Sequence, residues 1–551
     1  MKLNYKFKTQ PFEHQLKALG CSWNKESFAY FMEMGTGKSK VLIDNIAMLY
    51  DKGSINGALI VAPKGVYTNW KNEQIQRHMP DHVVYKIVVW NPSPTKKEKE
   101  EINSLFKEKD CLTIFLMNIE AFSTKKGQDI GTKFLLGHKA MFAIDESTTI
   151  KTPTAARTKA VIKLSKLAQY RRILTGSPVT KSPLDLYSQA EFLDPAFLDQ
   201  PSFWTFKSRY CVMVKRRISG SHQFNMIVSY KNLNELTELI DKFSYRVLKE
   251  ECLDLPDKIY MNREVELSPK QIDAYHQIKE FAVAELKEGS MTTFSALTQL
   301  MRLHQVTCGF MTTDDGRLVD LHDGKGKIPR LETLLDVLEE VDGKVIIWAN
   351  YRHNIRHLTN ALRKKYGPES TESFYGDTKQ QDREDILSRF MAPDSGLQYL
   401  VANPRTGGYG LNLTVSHTII YYSNSYDLEV RMQSEDRIHR IGQTSKATYI
   451  DLVAKKTIDE NIIKALKTKI NLASTILGED LKKWLNAYPM KVKDPNSITL
   501  DNGVMEVTHS PTGCMLIKRS VFEKMIKAYP DKGIVQKTVI NGKYVDRPHM
   551  W

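Results

Sequence analysis

The chain has 551 residues, 41% of them apolar and 26% charged, with a formal net charge of +15. That length exceeds what one hydrophobic core serves, so roughly two to four domains are expected, and the balance of apolar and charged residues excludes a disordered chain. No apolar run is long enough to span a bilayer, the first residues lack the apolar core of a signal peptide, and the excess of lysine and arginine points to a polyanionic partner. Six cysteines are scattered singly with no C-x-x-C pair, the pattern of reduced thiols in a cytosol and not of a structural zinc module.

In chain order, Pro11-Phe12-Glu13-His14-Gln15 comes first, followed by an apolar strand candidate at 28–32. Gly35-Thr36-Gly37-Lys38-Ser39 then opens a helical stretch from Lys40 onward. Glycines between a strand and a helix let backbone N–H groups approach phosphate oxygens at the positive end of the helix. Lys38 would reach the β- and γ-phosphates and the Ser39 hydroxyl would hold Mg²⁺. Met32 stands where the full G-x-x-x-x-G-K-[ST] pattern has its first glycine, and a chance Gly-Lys-Ser in a loop is the plain alternative.

Further strand candidates lie at 58–63, 113–117, 142–146 and 172–175, and a second set at 345–349, 398–402, 418–423 and 448–453. Apolar strands separated by amphipathic helices predict parallel sheets covered on both faces. Residues 185–320 show helical periodicity with few strand candidates and are expected to be a helical insertion. Asp145-Glu146 ends a strand where ligand sites of open α/β sheets collect, so Asp145 is expected to hold metal and Glu146 to act as general base. A solvated acidic strand end is the alternative. Gln433-Ser434-Glu435-Asp436-Arg437-Ile438-His439-Arg440 puts two arginines at i, i+3 on one helical face. They are suited to a phosphoryl group shared between two lobes, or else belong to an exposed charge cluster.

Taken together, these motifs resemble the Swi/Snf-type ATPases of helicase superfamily two over residues 10–480. Pro11–Gln15 is similar to the adenine-sensing Q motif, with Gln15 the implied adenine contact. Asn69-Trp70-Lys71-Asn72-Glu73 resembles motif Ia, and Leu174-Thr175-Gly176-Ser177-Pro178 motif III. Thr148 replaces the histidine that usually closes the Asp-Glu-x-His box. Thr406-Gly407-Gly408-Tyr409-Gly410-Leu411-Asn412-Leu413 resembles motif V, with Asn412 contacting nucleotide, and Gln433 to Gln443 resembles motif VI.

The resemblance implies an α/β fold of two RecA-like parallel-sheet lobes, with an N-terminal lobe at 1–200, a helical insertion at 201–330, a second lobe at 331–484 and an accessory tail at 485–551. It implies ATP bound by Gln15, Gly35, Thr36, Gly37, Lys38, Ser39 and Asn412, Mg²⁺ held by Ser39 and Asp145, and catalysis by Lys38, Glu146, Arg437 and Arg440. The implied function is ATP-driven translocation on double-stranded DNA through backbone contacts, with DNA-bound protein as possible cargo. Strand separation, RNA-dependent ATPase activity and a purely structural ATP stay open beside it. Groove candidates are Lys207, Arg209, Lys215, Arg216 and Arg217. A bacterial or virus-infected host cytoplasm is the expected location, with a nucleus left open. In the tail, residues 512–522 faintly resemble a glycosyltransferase segment and are read as part of an accessory fold.

Overall fold

A computed structural model of the chain describes residues 5–63, 69–106, 111–219, 222–288, 293–313, 315–407 and 411–477, together with short strands between 491 and 547. The first sheet is built from β1 (Ser27–Met32), β2 (Gly57–Ala62), β3 (Tyr85–Val89), β4 (Leu112–Asn118), β5 (Ala140–Asp145) and β6 (Tyr170–Leu174), and closes at one edge with a strand from beyond residue 240. All of its pairings are parallel. Every residue of β1 is buried, and its side chains alternate between two cores: Ala29 and Phe31 on one face, Phe28, Tyr30 and Met32 on the other. Helices cover both faces, which is why these strands read as unbroken apolar runs.

Residues 201–330 depart from the expected helical insertion. They begin with the helix Phe203–Tyr210, continue in an antiparallel hairpin, β7 (Cys211–Ser219) and β8 (His222–Tyr230), and return to helix at Leu233–Phe243. Then β9 (Ser244–Val247) joins the edge of the first sheet against β1, and β10 (Lys258–Glu264) joins the edge of the second. Both are edge strands with mostly part-exposed side chains, so neither gives the continuous apolar signal of a buried parallel strand. The helices Pro269–Glu288 and Thr293–Thr307 follow, and a short hairpin of β11 (Phe310–Thr312) and β12 (Leu318–Asp320) completes the segment.

The second sheet adds β13 (Val345–Trp348), β14 (Thr371–Phe374), β15 (Tyr399–Ala402), β16 (Thr418–Tyr421) and β17 (Ala447–Val453), in the order β10-β17-β16-β13-β15-β14 and parallel throughout. Val345 and Ile347 point into one core, Ile346 and Trp348 into another. The predicted fold class, two α/β lobes with parallel sheets, is the observed one. β14 (Thr-Glu-Ser-Phe) escaped the sequence reading because it is a short, half-polar edge strand.

Each lobe contains a fully buried arginine that fastens distant backbone. In the first, Arg172 donates to Asn45 Oδ1 (2.9 Å) and to the carbonyls of Ser22, Lys25, Glu26 and Arg171. In the second, Arg330 pairs with Asp459 and donates to the carbonyls of Thr307, Tyr422 and Leu452. Asp459 opens the helix Ile458–Ile476, whose far end leaves the second lobe. Ile476 lies in a core of the first lobe, and its carbonyl accepts a 2.7 Å hydrogen bond from the Thr237 hydroxyl. One helix therefore ties the two lobes together.

Residues 480–551 form a separate unit, with strands Ile498–Asp501, Ile534–Ile540 and Lys543–Arg547 among its described residues. The segment 512–522 and Gly408, Tyr409 and Gly410 lie outside the described residues.

Candidate active site between the two lobes

The loop after β1 is shaped by two glycines with left-handed backbone, Gly35 (φ 83°) and Gly37 (φ 89°). Gly37 caps the helix Lys38–Asp51, whose first-turn N–H groups have no intrahelical acceptor and form an anion-binding end. A Cβ at Gly37 would lie 2.2 Å from Gln15 Nε2, so only glycine admits the close approach. Gln15 Nε2 donates to the Thr36 carbonyl at 3.0 Å, and His14 Nε2 donates to the same oxygen at 2.8 Å. Lys38 Nζ donates to the carbonyls of Met32 (2.9 Å) and Glu33 (3.4 Å). The loop's cation is thus folded onto its own backbone. Gln15, expected at adenine, is joined here to the loop itself. Beside it an open cleft is lined by Phe12, His14, Lys17, Tyr245, Arg246 and Glu251.

At the end of β5, Asp145 Oδ2 accepts from Trp70 Nε1–H at 2.9 Å and Oδ1 from the Glu146 N–H at 3.0 Å. Burial raises the Asp145 pKa, against the opposing pull of Trp70 and Lys38. A cation beside this carboxylate would relieve that cost, so Asp145 fits a divalent-metal ligand, with the Ser39 hydroxyl at the helix start as a second. Glu146 sits at φ 50°, a strained backbone for a non-glycine residue. Burial pushes its pKa up to about 7, with Asp145 and Glu429 adding to the rise and Lys38 and Arg437 opposing it. Lys38, Asp145, Glu146 and Arg437 therefore share one electrostatic site, although Arg437 belongs to the other lobe.

The second lobe contributes its groups from the helix Leu428–Glu435 and the turn that follows. Arg437 is 1% exposed; its Nε donates to the Gln433 carbonyl (2.8 Å) and its Nη1 to the Leu411 carbonyl (3.0 Å). Arg440 Nη1 donates to the same Leu411 oxygen at 2.9 Å. Both arginines are thereby tethered to Leu411 in the segment that resembles motif V. Arg440 also reaches the phosphate loop: a Cβ at Gly35 would lie 3.7 Å from Arg440 Cβ. Asn412, next to Leu411, is exposed.

Four cross-lobe contacts were not legible in the sequence. Thr148 Oγ1 donates to Glu429 Oε1 at 2.6 Å, and Lys151 Nζ pairs with Glu429 Oε2 at 3.0 Å. The threonine in the histidine position thus carries a link, but to the other lobe. Ser177 Oγ donates to Met432 Sδ at 3.4 Å, in the segment resembling motif III. Lys249, 1% exposed just beyond β9, pairs with Asp436 and donates to the His439 carbonyl at 2.8 Å, while its backbone N–H donates to Glu33 Oε2 at 2.8 Å. Glu429 and Gln433 lie one turn apart on the helix Leu428–Glu435, and Arg437 follows in the turn beyond it. Nothing local marks Lys249.

Among the groove candidates, Arg209 is bound to Glu235, and Lys207 lies 5.5 Å from the ring centre of Trp204, which is 71% exposed. Lys215 sits on β7. Arg216 and Arg217 follow it in the same strand, their side chains outside the described ones.

Residues 23–310 match the model of the SNF2-related domain, and residues 326–442 match that of the helicase conserved C-terminal domain. An uncharacterised ATP-dependent helicase of Mycoplasma pneumoniae is 27% identical over 452 residues, covering 82% of this chain and 40% of that protein. The TATA-binding protein-associated factor MOT1 of Saccharomyces cerevisiae is 26% identical over 495 residues, covering 80% of this chain and 25% of that protein. The chain therefore spans well under half the length of these relatives. Among solved structures, the Sulfolobus solfataricus SWI2/SNF2 ATPase core in complex with dsDNA is 21% identical, covers 89% of this chain and 99% of that one, and has a TM-score of 0.39.

Proposed function

The chain belongs to the SNF2-related family of ATPases, and from that premise we propose that it is a DNA-dependent ATPase that translocates along double-stranded DNA. One observation carries the reading. The Lys38 loop and the Asp145-Glu146 pair of one lobe lie in a common electrostatic site with Arg437 of the other.

ATP is the substrate of this site, held by the Gly35–Ser39 loop with Gln15 behind it and Asn412 across the cleft. Mg²⁺, held by Ser39 and Asp145, supplies charge neutralisation at the phosphates when bound. Lys38 exchanges its own loop carbonyls for phosphate oxygens. Glu146, with a pKa near neutrality, takes the proton of the attacking water. Arg437 and Arg440 place positive charge where it develops on the γ-phosphoryl oxygens. The Thr148–Glu429 link passes the state of this site to the second lobe, so that closing and opening become steps along DNA.

The +15 net charge and the exposed Trp204 with Lys207 and Lys215 support a backbone-reading, sequence-tolerant duplex contact. DNA-bound protein is the proposed cargo, in a bacterial or virus-infected host cytoplasm. Steady-state ATPase measured on duplex, single-stranded and forked DNA and on RNA tests the reading. Many-fold stimulation by duplex DNA, lost in Lys38→Ala, is expected. An ATPase that runs equally fast without DNA sinks the translocase, and stimulation by RNA alone reassigns the substrate.

A further inference from the structure

The second lobe carries a cluster of metal-ligating side chains in which the nucleotide chemistry has no part. Asp320 ends β12, and His353 and His357 lie one turn apart at the start of the helix Arg352–Tyr366. One ligand atom from each lies within 4.8 Å of the others, and all three residues are partly exposed, so an ion has access from solvent. We propose that Asp320, His353 and His357 form a binding site for a divalent transition metal of the Zn²⁺ class that fastens the β11–β12 hairpin to this helix.

Several independent features lead to that site. His residues at i, i+4 present both imidazoles on one helix face, the spacing that lets two rings chelate one ion. The hairpin is held in register by Phe310 opposite Asp320 and by the Leu321 N–H donating to the Gly309 carbonyl at 2.8 Å. Leu321 is buried in the adjoining core, and Asp320 and His322 flank it. The Phe310 ring lies 4.8 Å from the His353 ring and holds it in place.

The positive charges of the same helix are drawn elsewhere. Arg352 and Arg356 both pair with Asp377 at 3.0 Å, and Arg356 also donates to Tyr375 Oη. The Asp-His face is thereby left without a competing guanidinium from its own helix.

His353 Nε2–H donates to Asp320 Oδ1 at 2.6 Å, a clamp that by itself joins the same two elements. Two imidazoles and a carboxylate, with solvent in the fourth position, favour Zn²⁺ or a neighbouring transition metal over Mg²⁺ or Ca²⁺, which take oxygen ligands. Tetrahedral bonds of about 2.0–2.1 Å bring donors to roughly 3.3 Å from one another, so side-chain rotations must close a gap on the order of 1 Å. The site ties segments 33 residues apart in sequence, and any ion bound there stabilises the second lobe by mass action.

The full chain, stripped with chelator and titrated with Zn²⁺ against a chromophoric competitor, tests the proposal without reference to ATPase activity. Expected are one ion per chain, a four-coordinate visible spectrum with Co²⁺, and a Tm that rises with added metal. His357→Gln and Asp320→Asn should each weaken Zn²⁺ binding at least about tenfold and abolish the Tm shift. Substoichiometric binding by the wild-type chain, a six-coordinate Co²⁺ spectrum, or binding unchanged in His357→Gln would overturn it and leave the His353–Asp320 clamp. Should a variant fail to fold, the wild-type stoichiometry and Co²⁺ spectrum decide alone.

Discussion

The Thr148 hydroxyl donates a 2.6 Å hydrogen bond to the Glu429 carboxylate, joining the strand end that bears Asp145 and Glu146 to the helix that leads into Arg437. Lys151 completes the carboxylate's coordination from the same side. Both partners flank the groups proposed to be catalytic, so on that reading the contact is placed to transmit lobe position to chemistry.

Loss of that hydrogen bond should therefore show in turnover more than in nucleotide binding. Thr148→Val is expected to lower kcat by roughly tenfold, the value of about 1.5 kcal/mol for a bond to a charged acceptor, with KM for ATP little changed. Steady-state kinetics on duplex DNA would show it. A rise in KM at constant kcat would mean that the bond only shapes the binding pocket.

Glu146 makes the pH dependence specific. Its carboxyl must be ionised to accept a proton, and its pKa in the free protein is about 7, so kcat/KM should rise with pH through a limb near 7. The same shift has the opposite sign for stability. Because the folded pKa lies above the unfolded one, ionisation opposes folding, and stability is lost as pH rises from the ordinary glutamate range through 7. Glu146→Gln should therefore abolish turnover while raising Tm at pH 8 more than at pH 5. A flat profile of kcat/KM between pH 5.5 and 8 would remove Glu146 from the base role.

Arg437 and Arg440 are expected to act on turnover. Alanine at either should cut kcat by on the order of 10³ while fluorescent-nucleotide binding stays within a few-fold of wild type. Arg437 is buried, so circular dichroism must accompany the assay; a variant that unfolds would instead mark the residue as part of the second lobe's framework.

Lys249 and Asp436 form a buried pair, their side chains 2% and 6% exposed, and removing one partner strands the other's charge. Lys249→Met is expected to cost about 3–5 kcal/mol, and Asp436→Leu added to it should recover much of the loss. Chemical denaturation of the four members of the cycle measures the coupling. Strictly additive single effects would show that the pair does not hold the lobes together.

Much of the site was legible because its chemistry is local. Gly35 to Ser39, Asp145-Glu146 and the arginines at 437 and 440 each need particular residue types at fixed short spacing. The buried strands of both sheets announced themselves as apolar runs. The edge strands β9, β10 and β14 did not, since a strand half open to solvent needs only a partner, and that partner can lie anywhere in the chain.

By itself, then, the sequence determined a two-lobed α/β protein with a phosphate loop in one lobe and an arginine pair in the other, because backbone propensity and loop chemistry act within a few residues. Tertiary structure alone decided that Thr148 meets Glu429, that Lys249 is buried against Asp436, and that the helix begun at Asp459 ends in the opposite lobe at Ile476. Those pairings link residues 187 or more apart, or carry one helix between two cores, and no local pattern records which distant charge a buried group requires.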